Sequence, residues 1–335
     1  MTTVIVWFLT SATIIVIAGS MLTAFADAIA ELTGLGRLIV GSVLLAAGTS
    51  LPELTVDIAA VRLGAVDLAA GDLLGSCLMN LFILALLDLT SRSRGKMLSR
   101  QSAAHALSGS VSIVMTAVVA FGLLTGPPFA RYAVMGISLV APLVLLTYLL
   151  GVRLVYLDQR IAVREFAEKE PDHAAPTTRM TLPTAIGGFA VCAIVILLVG
   201  PSMARSAEQL AEMTGLGDTF VGTTLVALCT SLPEFVSMLA ALRIGALDLA
   251  IGNAFGSNAF NMVLFLPLDL ATSEPLFSVV SMRHAITAIG AIIATQIVIL
   301  GQLYQAERRI RGIEPDATLV IFIVVAVLAT IHLIP

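Results

Sequence analysis

The sequence predicts an all-α membrane protein, with ten transmembrane helices arranged in two inverted five-helix repeats. The chain of 335 residues is 58% hydrophobic and only 12% charged, whereas a soluble domain carries about 25% charged residues. Several apolar segments reach the length of about 20 residues that a helix needs to cross a bilayer. In addition, a long stretch of the first half of the chain recurs in the second half.

Ten apolar segments can be marked along the chain, five on each side of a charged stretch. They lie near residues 4–24, 37–61, 65–90, 103–124, 132–156, 182–203, 218–242, 246–270, 284–304 and 317–334. The first has no preceding basic residue and no clean cleavage signal, so we expect a retained helix. We predict a first repeat at 1–156, a cytoplasmic linker at 157–181 and a second repeat at 182–335.

Basic residues are distributed unevenly between the two sides of the predicted membrane. When the connections are numbered alternately, fourteen Lys and Arg residues fall on one side and four on the other. Cytoplasmic loops are enriched in these residues, so we expect both termini on the non-cytoplasmic side of a cell inner or plasma membrane. The net charge of −4 argues against nucleic acid as a partner and leaves the lipid bilayer as the expected surroundings.

The internal repeat is long and free of gaps. Residues 31–89 align with residues 212–270 at an offset of 181, and 29 of the 59 positions are identical. The matched blocks are GTSLPE against CTSLPE, and GDLLGSCLMN against GNAFGSNAFN. Five spans separate the copies, so they are expected to cross the membrane in opposite senses, as in secondary transporters with a site near the midplane. A duplicated scaffold is the alternative, but a scaffold has no need for polar residues within its spans.

The first block places a glutamate inside a span of each repeat. Glu53 and Glu234 have no Lys or Arg at the same depth, and an unpaired carboxylate there costs several kcal/mol. A bound cation or a proton is the simplest partner, and the alternative is a neutral glutamate bonded to a neighbouring helix. Each glutamate follows a proline, which removes one helical hydrogen bond and favours an unwound segment before it. The carbonyls of Gly48 and Cys229 lose their donors, and wider unwinding would also free Ala47 and Leu228, so all four are candidate cation ligands. Hydroxyl oxygens are predicted from Thr49, Ser50, Thr230 and Ser231.

The second block has helical spacing. In each repeat, three polar residues recur every four positions and so share one helix face. These residues are Asp72, Ser76 and Asn80 in the first repeat and Asn253, Ser257 and Asn261 in the second. The glycines of the block, Gly71, Gly75, Gly252 and Gly256, are expected to allow helices to approach closely. Together the two blocks offer carboxylate, amide, hydroxyl and carbonyl oxygens, which suit Ca²⁺, Mg²⁺, Mn²⁺ or Na⁺.

These paired blocks resemble the two α-repeats of the Ca²⁺/cation antiporter superfamily, especially the prokaryotic sodium/calcium exchangers. The resemblance implies that inorganic cations are exchanged by alternating access, with Ca²⁺ moving against Na⁺ or H⁺ and without a cofactor. It also implies that Glu53 and Glu234 are the main ion ligands. The remaining ligands would be Thr49, Ser50, Thr230, Ser231, Ser76, Ser257, Asn80 and Asn261.

The chain departs from the family pattern at three positions of the second blocks. Asp72 and Cys77 stand where the family has asparagines, and Asn261 stands where such exchangers often have aspartate. Asp57, one turn after Glu53, and Asp72 have neutral counterparts in the second repeat, so we predict an acidic vestibule on the outer side only. The alternative is that Asp57 caps or bonds a neighbouring helix.

Three other functions are weighed against Ca²⁺/Na⁺ exchange. A proton-coupled exchanger of Ca²⁺, Mn²⁺ or Mg²⁺ is favoured by the neutral Asn261. An intramembrane hydrolase would need a base, and neither repeat block contains a histidine. A cation sensor that does not transport is the third. The sequence leaves the counter-ion, the stoichiometry and the oligomeric state open.

Overall fold

The computed structural model describes residues 2–90, 103–130, 137–169, 178–213, 228–304 and 315–333, and these residues are predominantly helical. The α-helices are α1 (Thr2–Thr33), α2 (Arg37–Ile39), α3 (Ala46–Thr49), α4 (Leu51–Arg62), α5 (Val66–Thr90), α6 (Ala103–Ala130), α7 (Val140–Lys169), α8 (Leu182–Met213), α9 (Leu232–Arg243), α10 (Leu247–Ala271), α11 (Leu276–Val279), α12 (His284–Tyr304) and α13 (Pro315–Leu333). A π-helix, Val40–Leu45, joins α2 to α3.

The helices make this a multi-pass membrane protein. Among the described residues, seven helices are long and apolar enough to cross a membrane, or eight if the bent pair of 37–49 and 51–62 is one span. The predicted count of ten is not reached by this measure. Helix α9 has only 12 residues, and of the residues before it in the predicted span only 228–231 are described, since 214–227 lie outside the described part of the chain. The apolar part of α13, Pro315–Ile331, is also shorter than a full span.

Helix ends differ from the predicted span ends where local chemistry shifts them. Helix α1 continues to Thr33 and is ended by Gly34, whose positive φ of 66° suits a helix C-terminus. Helix α7 begins only at Val140, which places Pro142 in its first turn, where proline is tolerated. The same helix runs on to Lys169, so the first part of the predicted linker is helical. Residues 170–177 of that linker lie outside the described ranges.

Helices α5 and α10, which carry the second block of each repeat, form the centre of the molecule. Their most apolar windows are 67% and 83% buried, compared with 22% for both α1 and α8. The two central helices cross antiparallel, because Asn80 of α5 bonds Asn258 of α10 while Leu73 of α5 bonds the later residue Asn261. Helices α1 and α8 lie at the periphery, where α1 packs on α9 and α8 packs on α4.

The two repeats share the same turn after the first block. Gly64 and Gly245 both have positive φ, 84° and 76°, a conformation that glycine adopts without steric cost. In each turn the residue after the glycine bonds back to a helical carbonyl, from Ala65 to Ala60 at 2.9 Å and from Ala246 to Ala241 at 2.8 Å. These turns fix the angle at which α4 meets α5 and α9 meets α10, and so position the two blocks against each other.

The predicted close approach at the glycine stripe is confirmed on α10. A Cβ atom at Gly252 would lie 2.7 Å from the Leu38 carbonyl oxygen, and one at Gly256 would overlap the backbone of Ser42. On α5 the stripe is more open, since a Cβ atom at Gly71 would meet the ring of His284 and one at Gly75 would meet nothing within 4 Å. The π-helix therefore packs backbone to backbone against α10, immediately before the first block.

Gly256→Ala is expected to destabilise the protein, because the added methyl group overlaps main-chain atoms that cannot rotate away. Overpacking of this kind costs about 1–3 kcal/mol, more than the gain of about 1 kcal/mol in helix propensity. Gly187→Ala is the matched control, since a Cβ atom there meets nothing within 4 Å. Thermal unfolding in detergent should show a lower midpoint for Gly256→Ala alone, and equal midpoints for the two variants would contradict this packing.

Candidate functional site

Each first block breaks its helix two residues before the proline, within the segment predicted to be kinked or unwound. Ser50 separates α3 from α4 with φ −86° and ψ 11°, and Ser231 precedes α9 with φ −83° and ψ 5°. The first-half helix bends by 43° at this break. Pro52 and Pro233 then lie in the first turn of the following helix, where a missing N–H has no cost.

The break places opposite ends of helical dipoles around one point. The first turns of α4 and α9 contain Glu53 and Glu234, where the positive end of the dipole stabilises a carboxylate. The preceding half-helix ends at Thr49, with its carbonyl groups directed toward the break, an arrangement suited to cations. The Ala46 carbonyl already accepts bonds from the Ser50 N–H and the Thr49 hydroxyl. Ala47 and Leu228 remain predicted carbonyl ligands, and the Leu228 side chain is 46% exposed.

The two glutamates are buried close to each other. Glu53 and Glu234 are each 1% exposed, and their carboxylates are close enough to repel electrostatically. Ser50 Oγ donates to Glu234 Oε1 at 3.0 Å, which connects the two halves of the chain. Within the described residues, no other residue donates a hydrogen bond of ordinary geometry to either Glu53 oxygen or to Glu234 Oε2. Such oxygens are costly to bury unless an ion or a proton pairs with them.

The hydroxyl groups of one half face the polar stripe of the other. Thr49 Oγ1 lies 3.4 Å from Asn253 Oδ1 and 3.5 Å from Ser257 Oγ. In the reciprocal arrangement, Thr230 Oγ1 donates to Asp72 Oδ1 at 3.3 Å. Since 230 and 72 are the repeat equivalents of 49 and 253, the two halves contact each other through matching residues.

Ser231 Oγ donates to Ser76 Oγ at 3.2 Å and so completes this set of contacts between the halves. Ser231 and Ser76 are 1% exposed. Thr49, Thr230, Ser231, Ser76 and Ser257 therefore lie between the first-block break of one half and the second-block helix of the other, while Ser50 contacts the first-block glutamate of the other half.

The ends of the second blocks meet at an asparagine that sequence reasoning missed. Asn258 accepts from Asn80 Nδ2 at 3.0 Å and donates to the Cys77 carbonyl at 3.2 Å. Asn261 Nδ2 points to the Leu73 carbonyl at 3.5 Å. The Oδ1 atoms of Asn80 and Asn261 are buried and have no hydrogen-bond partner among the described residues. Both predicted amides therefore keep a free acceptor, and the GSN pattern of the second repeat pointed to Asn258.

Two histidines to which the sequence gave no role pair with equivalent aspartates. His105 Nε2 lies 3.1 Å from Asp248 Oδ1, and His284 Nε2 lies 3.2 Å from Asp67 Oδ1. The aspartates are 181 positions apart and each begins a central helix. These pairs fasten the starts of α10 and α5 to the starts of α6 and α12. The repeat alignment covers the aspartates but not the histidines, so it carried no signal for the pairs.

The donor set is limited to two acids at the centre. No group of three or more His, Cys, Asp or Glu side chains among the described residues is close enough to hold one metal ion. A cation between Glu53 and Glu234 would therefore complete its shell with neutral hydroxyl, amide and carbonyl oxygens. Hard cations such as Ca²⁺ and Na⁺ accept such ligands.

A helical membrane bundle with buried carboxylates at two helix breaks has the architecture expected of a secondary transporter. The chain belongs to the family described as sodium/calcium exchanger protein, which matches residues 3–157 and 184–331. Members of this family are transporters and not enzymes, so the hydrolase alternative is rejected. The family carries inorganic cations across the bilayer, in agreement with the resemblance noted from the two blocks.

Several relatives place the chain within this family. It is 29% identical over 260 residues to the inner membrane protein YrbG of Escherichia coli, and this alignment covers 76% of this chain and 75% of YrbG. It is 28% identical over 265 residues to the putative antiporter CaxA of Alkalimonas amylolytica, and this alignment covers 76% of this chain and 79% of CaxA. A shorter match, 40% over 90 residues, is to the sodium/calcium exchanger MaX1 of Methanosarcina acetivorans and covers 25% of this chain and 26% of MaX1.

The fold agrees with that of a solved exchanger. The sodium-calcium exchanger NCX_Mj superposes with a TM-score of 0.71 over 98% of this chain and 99% of that chain, at 18% sequence identity. This likeness establishes the shared fold.

Ser50→Ala is expected to perturb the site more than its repeat equivalent Ser231→Ala. The first removes the hydroxyl donor to Glu234, and a hydrogen bond to a charged group contributes about 1.5–3 kcal/mol. The second removes a bond between two neutral hydroxyls, which contributes about 1 kcal/mol. Thermal unfolding of both variants in detergent checks the order. A larger loss for Ser231→Ala would show that Glu234 is not the group stabilised by Ser50.

Proposed function

We propose that the protein exchanges Ca²⁺ for Na⁺ across the membrane by alternating access, with Glu53 and Glu234 binding the ions. The observation that carries the proposal is the burial of both glutamates beside each other, with three of their four oxygens unpaired within the described residues. Two negative charges in a low-dielectric interior require positive charge. A divalent cation supplies it at a single position.

Competition for this charge is sufficient to couple the two ions. One Ca²⁺ neutralises the two carboxylates, and Na⁺ ions that enter the same place do so as well, but both kinds cannot be bound together. The site therefore carries Ca²⁺ when it changes access from one face to the other and carries Na⁺ when it changes back. The ion gradients set the direction of exchange. No covalent step or energy-rich cofactor is needed for this cycle.

Neutral oxygens supported by the contacts at the centre complete the proposed ligand set. The hydroxyls lie where the two halves meet, and the two amides keep free oxygen atoms. The proposed ligands besides the glutamates are Thr49, Ser50, Ser76, Asn80, Thr230, Ser231, Ser257 and Asn261, with the carbonyls of Ala47 and Leu228. Asp72, which was also predicted as a ligand, accepts a hydrogen bond from the proposed ligand Thr230.

Alternating access is proposed to arise from two inverted halves of five spans each. The antiparallel crossing of α5 and α10 and the matching contacts of Thr49 and Thr230 support this arrangement. The two bundles would rock or slide so that the site opens to one face at a time. We place the protein in the inner or plasma membrane with both termini non-cytoplasmic, on the basis of the basic-residue distribution.

A proton-coupled exchanger of Ca²⁺, Mn²⁺ or Mg²⁺ is the second candidate function. It is favoured by Asn261, a neutral and fully buried side chain in the position where an acid would help to hold several Na⁺ ions. Fewer fixed charges reduce the number of Na⁺ ions that can replace one divalent cation. The relative CaxA is named only as a putative antiporter.

Glu53→Gln and Glu234→Gln should each abolish Ca²⁺ flux, because the amide keeps the side-chain shape but removes one of the two charges. Radiolabelled Ca²⁺ uptake into proteoliposomes is the measurement. Glu274→Gln, at an exposed loop position, is the control and should retain uptake. Either site variant that remains monodisperse in detergent and transports Ca²⁺ at the normal rate would refute the proposed mechanism.

The counter-ion is expected to be Na⁺ and can be separated from H⁺ with imposed gradients. Proteoliposomes loaded with Na⁺ at equal pH on both sides should accumulate Ca²⁺, and dissipating a pH gradient with an ionophore should have little effect. Uptake that persists without Na⁺ and stops when the pH gradient is dissipated would instead establish the proton-coupled alternative. Empty liposomes and Glu53→Gln liposomes provide the background.

A further inference from the structure

A pair of acids lies on one side of the central site and is absent from the other. Asp57 follows Glu53 by one turn on α4, and Asp72 is one turn before Ser76 on α5. The two carboxyl groups lie on neighbouring helices and are near enough to interact electrostatically. Asp57 is only 1% exposed, and Asp72 is partly buried.

Each acid of the pair has an oxygen atom that the surrounding protein leaves unused. Asp57 Oδ2 and Asp72 Oδ2 are buried and have no hydrogen-bond partner among the described residues. A hydroxyl from the other half also reaches the pair, since Thr230 donates to Asp72 Oδ1 at 3.3 Å. No salt bridge found among the described residues connects either acid to a Lys, Arg or His side chain. Carboxylates enclosed in this way are stabilised by a bound cation or by a proton.

The pair is electrostatically connected to the central site but is not part of it. Both acids raise the negative potential at Glu53. The three carboxylates nevertheless do not converge closely enough to hold one metal ion together. The pair is therefore a separate position between Glu53 and the turn at Gly64.

The second half of the chain has neutral residues at the positions equivalent to the acid pair, so the two halves can be compared directly. The equivalents of Asp57 and Asp72 are Met238 and Asn253, both fully buried. The Thr49 contact with Asn253, at 3.4 Å, matches the Thr230 contact with Asp72, at 3.3 Å. The threonine contact is thus equivalent on both sides, whereas the two positions are acidic on one side only. Because α5 and α10 run antiparallel, the acidic and neutral positions lie toward opposite faces of the membrane.

We propose that Asp57, Asp72 and the Thr230 hydroxyl form an entry site for a hard cation, Ca²⁺ or Na⁺, on one face only. This inference rests on the proposed exchange function. A cation that enters from the membrane face on which the Gly64 turn lies occupies the acid pair first and then moves to Glu53 and Glu234. A cation from the opposite face meets Asn253 and Met238 instead and receives no such assistance. By the distribution of basic residues, the assisted face is the non-cytoplasmic one.

The test compares the Ca²⁺ concentration needed for half-maximal uptake on the two faces. Right-side-out and inverted membrane vesicles present opposite faces to the medium. The double variant Asp57→Met/Asp72→Asn gives the first half the residues of the second, so the shape is one that the fold already accepts. Its half-saturating Ca²⁺ concentration should rise by at least roughly tenfold more at the assisted face than at the other. Two unit charges about 10 Å apart at an effective dielectric constant of about 20 already change a binding constant by roughly that factor, and the variant removes two carboxylates.

Asn253→Asp is the reciprocal variant and adds a carboxylate at the equivalent position on the unassisted side. It should lower the half-saturating Ca²⁺ concentration at that face and so reduce the difference between the faces. This gain cannot result from misfolding, and it keeps the proposal testable if the double variant is unstable in detergent. The single variant Asp72→Asn should give a smaller shift in the same direction as the double variant.

Equal shifts at both faces, or no shift, would overturn the entry site and would indicate that Asp57 and Asp72 merely share a proton in a structural contact. In that outcome the wild-type protein still exchanges Ca²⁺, so the proposed function stands. If the wild-type protein transports no Ca²⁺ from either face, the proposed function fails and the entry site fails with it. The two failures are therefore distinguishable in the same set of vesicles.

Discussion

The structure is organised around two carboxylates that lie out of contact with water and have no basic partner among the described residues. Glu53 and Glu234 are held near each other although they repel, and the cost of burying an unpaired carboxylate is several kcal/mol. The surrounding protein does not remove this cost, because it supplies hydroxyls and amides but no cation. A bound cation pairs with the carboxylates and removes this cost, which favours binding. This is the physical basis for a site that binds cations and must still release them.

The rest of the architecture supports this constraint. A glutamate can be delivered to mid-membrane depth on a broken helix only if the freed backbone groups are enclosed by protein. The α5 and α10 helices provide that enclosure, and they are the most deeply buried of the candidate spans. Glycine at 252 and 256 brings the π-helix against α10 without intervening side chains. A π-helix immediately before a functional segment is a frequent arrangement, since it shifts the register of the residues that follow.

Sequence reasoning reached the parts of the site that depend on local chemistry. Proline beside glutamate predicts a broken helix at Ser50, and a spacing of four predicts that Asp72, Ser76 and Asn80 share a face. The features that it missed depend on tertiary packing. The bridging role of Asn258 requires knowledge of how α5 crosses α10, and the His105–Asp248 contact joins residues from opposite halves of the chain. The helical extension of α7 into a charged stretch was missed because solvated helices and linkers have similar composition.

The two halves have similar sequences, yet their central acids have different surroundings. Ser50 donates to Glu234, whereas the equivalent Ser231 donates to Ser76 and leaves Glu53 without that bond. Glu53 is therefore the carboxylate with both oxygens available, and it is also the one that lies beside Asp57 and Asp72. An exchanger that works by alternating access is open to one face of the membrane at a time, so the two halves of its site differ in any one conformation. A repeated sequence supplies two similar halves, and a small number of differing hydrogen bonds determines which half presents the freer charge to an arriving ion.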